Sequence, residues 1–166
     1  MKVLLAGLAL VALAVHAEIP DRYEPLVVTG VAEGGAQRVF DLTAAFDKAR
    51  QEHKPLFIYL GAAECPACRE YTRFLEEHVK EMRPLFARVV LVDIRTTVRG
   101  PRPTFAVHGT RYSTAEFKAL VGDSDPDLPY PSWWLLTPAG RQVRQLPRGV
   151  NHFLDVKSNA YWLTGS

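Results

Sequence analysis

Leu56-Phe57-Ile58-Tyr59-Leu60-Gly61-Ala62-Ala63-Glu64-Cys65-Pro66-Ala67-Cys68 is the stretch that decides how this chain is read. Its first five residues are continuous, apolar and rich in β-formers, the mark of a strand buried on both faces of a parallel or mixed sheet. Residues 61–64 make the connection, and Pro66 then stands at the first position of a helix, where its missing N–H is harmless. Cys65 and Cys68 are the only cysteines in the chain. Two intervening residues let the sulfurs close a small ring on one helical turn. The strand-to-helix junction aims Cys65 at the positive end of the helix, which favours thiolate. A dithiol so placed is a redox site, with Cys65 exposed at the helix start and Cys68 on the buried face.

Downstream, Cys68, Tyr71, Phe74, Leu75, His78, Val79 and Met82 recur at three- and four-residue intervals, while Arg69, Glu70, Arg73, Glu76, Glu77 and Lys80 take the other side. That pattern predicts one amphipathic helix running to Arg83 and stopped by Pro84. Residues 88–94 supply a second buried strand, and a strand, helix, strand unit of this length implies a right-handed parallel crossover with the strands as neighbours. Upstream, residues 26–29 read as an edge strand, and Gly30 and Gly34-Gly35 as a turn. Asp41 is the expected N-cap of a helix carrying Leu42, Ala45, Phe46 and Ala49 and ending before Lys54-Pro55.

Residues 95–129 shift to Gly, Pro, Thr and charge. They contain one helical candidate, 115–121, capped by Ser113 or Thr114, and an acidic loop at Asp123, Asp125 and Asp127. Tyr130-Pro131 introduces a strand at 132–137, and the turn 138–141 leads to a second at 142–146, together a hairpin. On such a strand Trp133 and Trp134 point to opposite faces. One can line the core side; the other is left to cover the opposite face under a helix. Residues 150–163 suggest a terminal helix.

The first 17 residues have the form of a cleaved signal peptide: Lys2, an apolar run at 3–15, and a small residue at Ala17. Residues 18–166 are then a single domain with room for a real core. The formal charge of +2 includes Lys2, so the mature chain is close to neutral, and nucleic acid is excluded as a partner. A disulfide spanning two residues staples almost nothing, which argues against a structural role in an oxidising compartment. One cysteine pair with His53, His78, His108 and His152 scattered singly is no zinc knuckle.

The order of parts resembles the thioredoxin superfamily, specifically its exported thiol:disulfide interchange proteins. The likeness rests on the strand at 54–60, Cys65-Pro66-Ala67-Cys68, the strand at 89–94, Tyr130-Pro131 and the hairpin at 132–146. It implies an α/β thioredoxin fold, a central mixed sheet flanked by helices, with residues 95–129 inserted before a cis-proline. It also implies that Cys65 attacks a substrate disulfide and Cys68 resolves it. Pro131 would face the dithiol in the cis form, and Tyr130 would pair with bound substrate like an added strand. Gly149, with Arg148, would give the third loop of the groove.

The same resemblance implies protein thiol or disulfide substrates, a periplasmic location, no cofactor and no metal. It implies a monomer acting as a dedicated reductase rather than a general oxidant, fed by a membrane electron donor. The chain departs from cytosolic thioredoxin in having Pro-Ala between the cysteines, Glu64 before them, and Tyr59 where that family carries a buried acid. Tyr59 reads as a core residue first and a contributor to proton traffic second. Arg69 is expected to assist the Cys65 thiolate and Glu64 to oppose it. Two rival readings use the same cysteines: a disulfide oxidase or isomerase, and a soft-metal carrier in which His108 completes a copper site.

Overall fold

The computed structural model describes residues 17–33 and 37–165. The expected signal peptide, apart from Ala17, and the turn at Gly34-Gly35 lie outside them. Among the described residues no helix is long and apolar enough to cross a membrane.

The quoted stretch forms β4 (Leu56–Ala62), every residue of which is buried. It lies at the centre of a five-stranded sheet with β1 (Leu26–Thr29), β5 (Val90–Thr96), β8 (Ser132–Leu136) and β9 (Gln142–Arg144), in the order β1-β5-β4-β8-β9. The strands β1, β5 and β4 are mutually parallel, and β8 and β9 return antiparallel. The expected mixed sheet, the parallel crossover and the terminal hairpin are all present. Helix α1 (Thr43–Glu52) begins one residue later than an Asp41 cap requires, and the Asp41 carboxylate instead accepts from the Thr43 N–H at 2.9 Å.

Two expectations need correction. The amphipathic helix after the cysteines is two helices, α2 (Pro66–Glu77) and α3 (Val79–Phe86), and Pro84 lies within the second. At the break, the His78 ring donates from Nδ1 to the Phe74 carbonyl at 2.9 Å and stacks on the Phe74 ring, while the Leu75 carbonyl accepts from the Tyr23 hydroxyl. Pro84 is tolerated because the carbonyl it leaves unpaired belongs to exposed Lys80, within reach of water.

The insertion, second, contains more than the one expected helix and the acidic loop. Its strands β6 (Pro103–Val107) and β7 (Thr110–Ser113) join β2 (Val31–Glu33) and β3 (Gln37–Asp41) in a second, four-stranded sheet ordered β2-β3-β6-β7. Helix α4 (Thr114–Val121) follows under a capping box in which the Ser113 side chain and Glu116 satisfy each other's backbone. The terminal segment divides into a 3-10 turn (Val150–Phe153) and α5 (Val156–Thr164), capped by Asp155.

Residues alternate across β4, β5 and β8, so the central sheet serves two cores. Ile58, Leu60, Val92, Ile94 and Trp134 pack with α1, α4 and the second sheet's Phe40 and Phe105. Phe57, Tyr59, Leu91, Trp133 and Leu135 pack with α2, α3 and α5. Both tryptophans are buried, one in each core, as their positions on a strand require.

Candidate functional site

Cys65 is the N-cap of α2, and its sulfur accepts the Cys68 N–H at 3.1 Å. This is the helix start at work: an N–H without an intrahelical acceptor points at the first sulfur. The two cysteines are free thiols. Cys68 is fully buried, and its thiol is pushed up to about 12, chiefly by burial and then by its contact with Cys65. The second thiol holds its proton.

Cys65 is not exposed, contrary to expectation. Only 5% of its surface is accessible, because Tyr130 and the loop after β5 close over it. It is reached through an open cleft of about 620 Å³ lined by Glu64, Cys65, Pro66, Val98, Arg99 and Tyr130. The Tyr130–Pro131 bond is cis, and the Tyr130 carbonyl lies 3.4 Å from the Cys65 sulfur, which donates to it. The residue expected to present backbone groups to a substrate thus has its carbonyl against the Cys65 sulfur.

Side chains far apart in sequence hold this arrangement. Glu64 accepts the Val98 N–H at 2.9 Å, a bond that lowers its carboxyl pKa and ties the loop after β5 to the cysteine turn. Arg38, from β3, donates to the Thr96 and Thr97 hydroxyls at 2.9 and 2.8 Å and fixes the root of the same loop. The acidic loop is neutralised from within. Buried Lys118 reaches Asp123 at 3.3 Å and donates to the Asp127 carbonyl, and Arg148 pairs with Asp125 and Asp127. That clamp leads directly into Tyr130-Pro131.

Gly149 adopts a positive φ of 88° beside Arg148, with open space where a side chain would lie, and it does not line the cleft at Cys65. Arg69 donates to the Ala63 carbonyl at 3.3 Å. His108 sits on the β6–β7 turn with its Nε2 2.8 Å from Asp47, bound to α1 rather than gathered with the cysteines. Among the described residues no cluster of three or more His, Cys, Asp or Glu could hold a metal.

Beneath the dithiol lies a residue that the sequence reading passes over. Asp93 on β5 is fully buried and pairs in register with Tyr59 on β4. Its Oδ2 accepts from the Ile19 N–H at 3.2 Å and from Arg95 Nε at 2.8 Å, and its Oδ1 has no partner. Burial pushes its carboxyl up to about 6, and Arg95 offsets only part of that. The available signal was a lone carboxylate in Val-Val-Leu-Val-Asp-Ile, since such groups are almost never fully buried without a reason.

The sequence profile of a family described as thioredoxin-like matches residues 36–116, a span from β3 through the cysteine pair to the start of α4. No curated protein and no solved structure matches the chain. The chain is similar to that family over this span of sequence, and the order and direction of its strands around the cysteine pair fit a thioredoxin-like fold.

Proposed function

We propose that this protein is an exported thiol:disulfide oxidoreductase acting on protein substrates, and a dedicated reductase rather than a general oxidant. The observation that carries the reading is the Cys68 N–H held on the Cys65 sulfur at the head of α2, with the Tyr130 carbonyl opposite. Cys65 attacks a client disulfide and releases one client thiol. Cys68 then attacks the mixed disulfide, releases the second and leaves the Cys65–Cys68 disulfide. Tyr130 and Pro131 offer the client an extended backbone edge. Working in the periplasm, the enzyme draws its electrons from a membrane donor, since its surroundings are oxidising. The preference for reduction follows from the resemblance to small exported family members that keep one client reduced.

Substrate trapping tests this. A Cys68→Ala variant expressed with residues 1–17 in place should accumulate a mixed disulfide through Cys65, and a Cys65→Ala variant should accumulate none. The trapped client is identified by mass. Insulin reduction left undiminished in both variants would falsify the assignment. Equilibration with glutathione then fixes the direction, about 30 mV corresponding to ~1.4 kcal/mol for this two-electron couple. Amino-terminal sequencing of the exported protein should begin at Glu18.

A further inference from the structure

The resolving thiol is completely buried and strongly protonated, yet it must lose its proton to attack Cys65. The groups around it that can take a proton lie on one row of the sheet. Tyr59 and Asp93 are register partners on β4 and β5, so their side chains stand on the same face, below Cys68. The Tyr59 hydroxyl faces the Cys68 thiol closely enough that each shifts the other's titration, although it makes no hydrogen bond to any protein atom. Asp93 Oδ1 is likewise buried and unpartnered.

The backbone is shaped to admit this phenol. A β-carbon at Gly61 would lie 2.6 Å from both Cε1 and Oη of Tyr59. Only glycine lets the ring run along the strand toward the cysteines. Two unsatisfied buried polar atoms in adjacent side chains are costly, and such atoms in a native fold call for an explanation.

We propose that Tyr59 and Asp93 form a buried proton relay serving Cys68, with Asp93 as the terminal base, held by Arg95 toward the partly exposed end of β5. This rests on the disulfide exchange proposed above. In the resolving step Cys68 sulfur attacks Cys65 sulfur, the bond from Cys65 to the client breaks, and the client sulfur leaves with the electron pair. The client is reduced and the dithiol oxidised by two electrons. The Cys68 proton passes to Tyr59 Oη as the phenol's own proton passes to Asp93 Oδ1, so tyrosine is unchanged and Asp93 ends as the acid. It returns the proton to water at the carboxyl end of β5, where the Glu18 carboxylate pairs with partly exposed Arg95 at 2.8 Å.

The hydrogen bonds tighten only as the mixed disulfide reacts, a common property of catalytic contacts. The charged and titratable groups around Tyr59 and Asp93 are Arg95 on β5, Cys68 and Tyr71 on α2, which act on Tyr59, Glu18, which acts on Asp93, and Asp21, which pairs with Arg95.

Reduced protein is mixed with excess oxidised glutathione and acid-quenched at intervals. Mass then separates the reduced form, the glutathione adduct on Cys65 and the internal disulfide. In Tyr59→Phe and Asp93→Asn the adduct should form at the wild-type rate and decay about 100-fold more slowly at neutral pH, the scale of general base catalysis. The wild-type decay rate should rise through pH about 6 as Asp93 ionises, and Asp93→Asn should lose that rise. Adduct decay at the wild-type rate in both variants from pH 5 to 8 overturns the relay. Failure of the exchange reading looks different: wild type then forms no adduct, or Cys68→Ala completes the reaction.

Discussion

On one face of the central sheet Ile58, Leu60, Val92, Ile94 and Trp134 meet their neighbours through carbon, and their single side-chain polar atom, Trp134 Nε1, donates to Asp123 at 2.8 Å. The opposite face of the same strands carries Tyr59 Oη, Asp93 Oδ1 and Trp133 Nε1, all buried and all without a protein partner. Adjacent residues on one strand, Trp133 and Trp134, fall on opposite sides of this divide. Both faces are equally hidden from water, so burial alone does not separate them. The difference is position: the face with stranded polar atoms is the one beneath Cys68. A core that only had to be stable would satisfy those atoms or replace them with carbon.

The largest effect on stability should come from the apolar face. Trp134 is 1% exposed and packs edge-on against Phe105 and Phe117 at 6.2 and 5.6 Å between ring centres. Trp134→Ala should lower unfolding free energy by about 3–5 kcal/mol in urea titration. Adduct resolution by the molecules still folded should be unchanged. A loss under about 1 kcal/mol, or a slowed resolving step, would erase the distinction between the faces.

Asp93→Asn should do the reverse, stabilising the fold while damaging the chemistry. The carboxyl titrates near 6 in the folded chain against an ordinary 3.8, so the folded state holds the proton more tightly. Stability is therefore undiminished below pH about 4, falls as pH rises through the interval to about 6, and stays low above it. The loss is about 3 kcal/mol. An asparagine is neutral throughout and keeps an oxygen for Ile19 and Arg95. The variant should match wild type near pH 4 and exceed it by up to about 3 kcal/mol at pH 8. A variant less stable than wild type at pH 8 would show that the acid is retained for structure.

What could be read from the sequence follows the reach of the interactions. The run from Leu56, the cysteine spacing and the hairpin after Pro131 are local patterns, and each forms where expected. The second sheet was invisible because its parallel pair joins Arg38 to Pro103, far apart in sequence, through strands too short for a clear period. The break at His78 depends on Tyr23, fixed to the Leu75 carbonyl from 52 residues away. At the site, Cys65, Cys68 and Pro131 carried their own signal. Tyr59 did not, since a phenol on a buried strand is usually core, and only its lack of a partner and its approach to Gly61 set it apart. The covering of Cys65 was illegible for the same reason as the second sheet, because the loop that covers it is held by Arg38 and Glu64.

The smallest effect tests the approach of Tyr59 to the dithiol. Gly61→Ala introduces a β-carbon 2.6 Å from the Tyr59 ring edge and hydroxyl. The ring has little room to swing away, because it is fully buried between Tyr71 and Trp133, at 5.6 and 6.2 Å between ring centres. The substitution should therefore cost about 1–3 kcal/mol by overpacking, and it should slow resolution by displacing the hydroxyl. Tyr59→Leu removes the ring and should absorb much of the second insult. In the double variant the two destabilisations should fall short of their sum by about 0.5 kcal/mol or more, measurable as a coupling in a double-mutant cycle. Strict additivity would mean that glycine at position 61 answers to the strand alone, and that the phenol's path toward Cys68 is incidental.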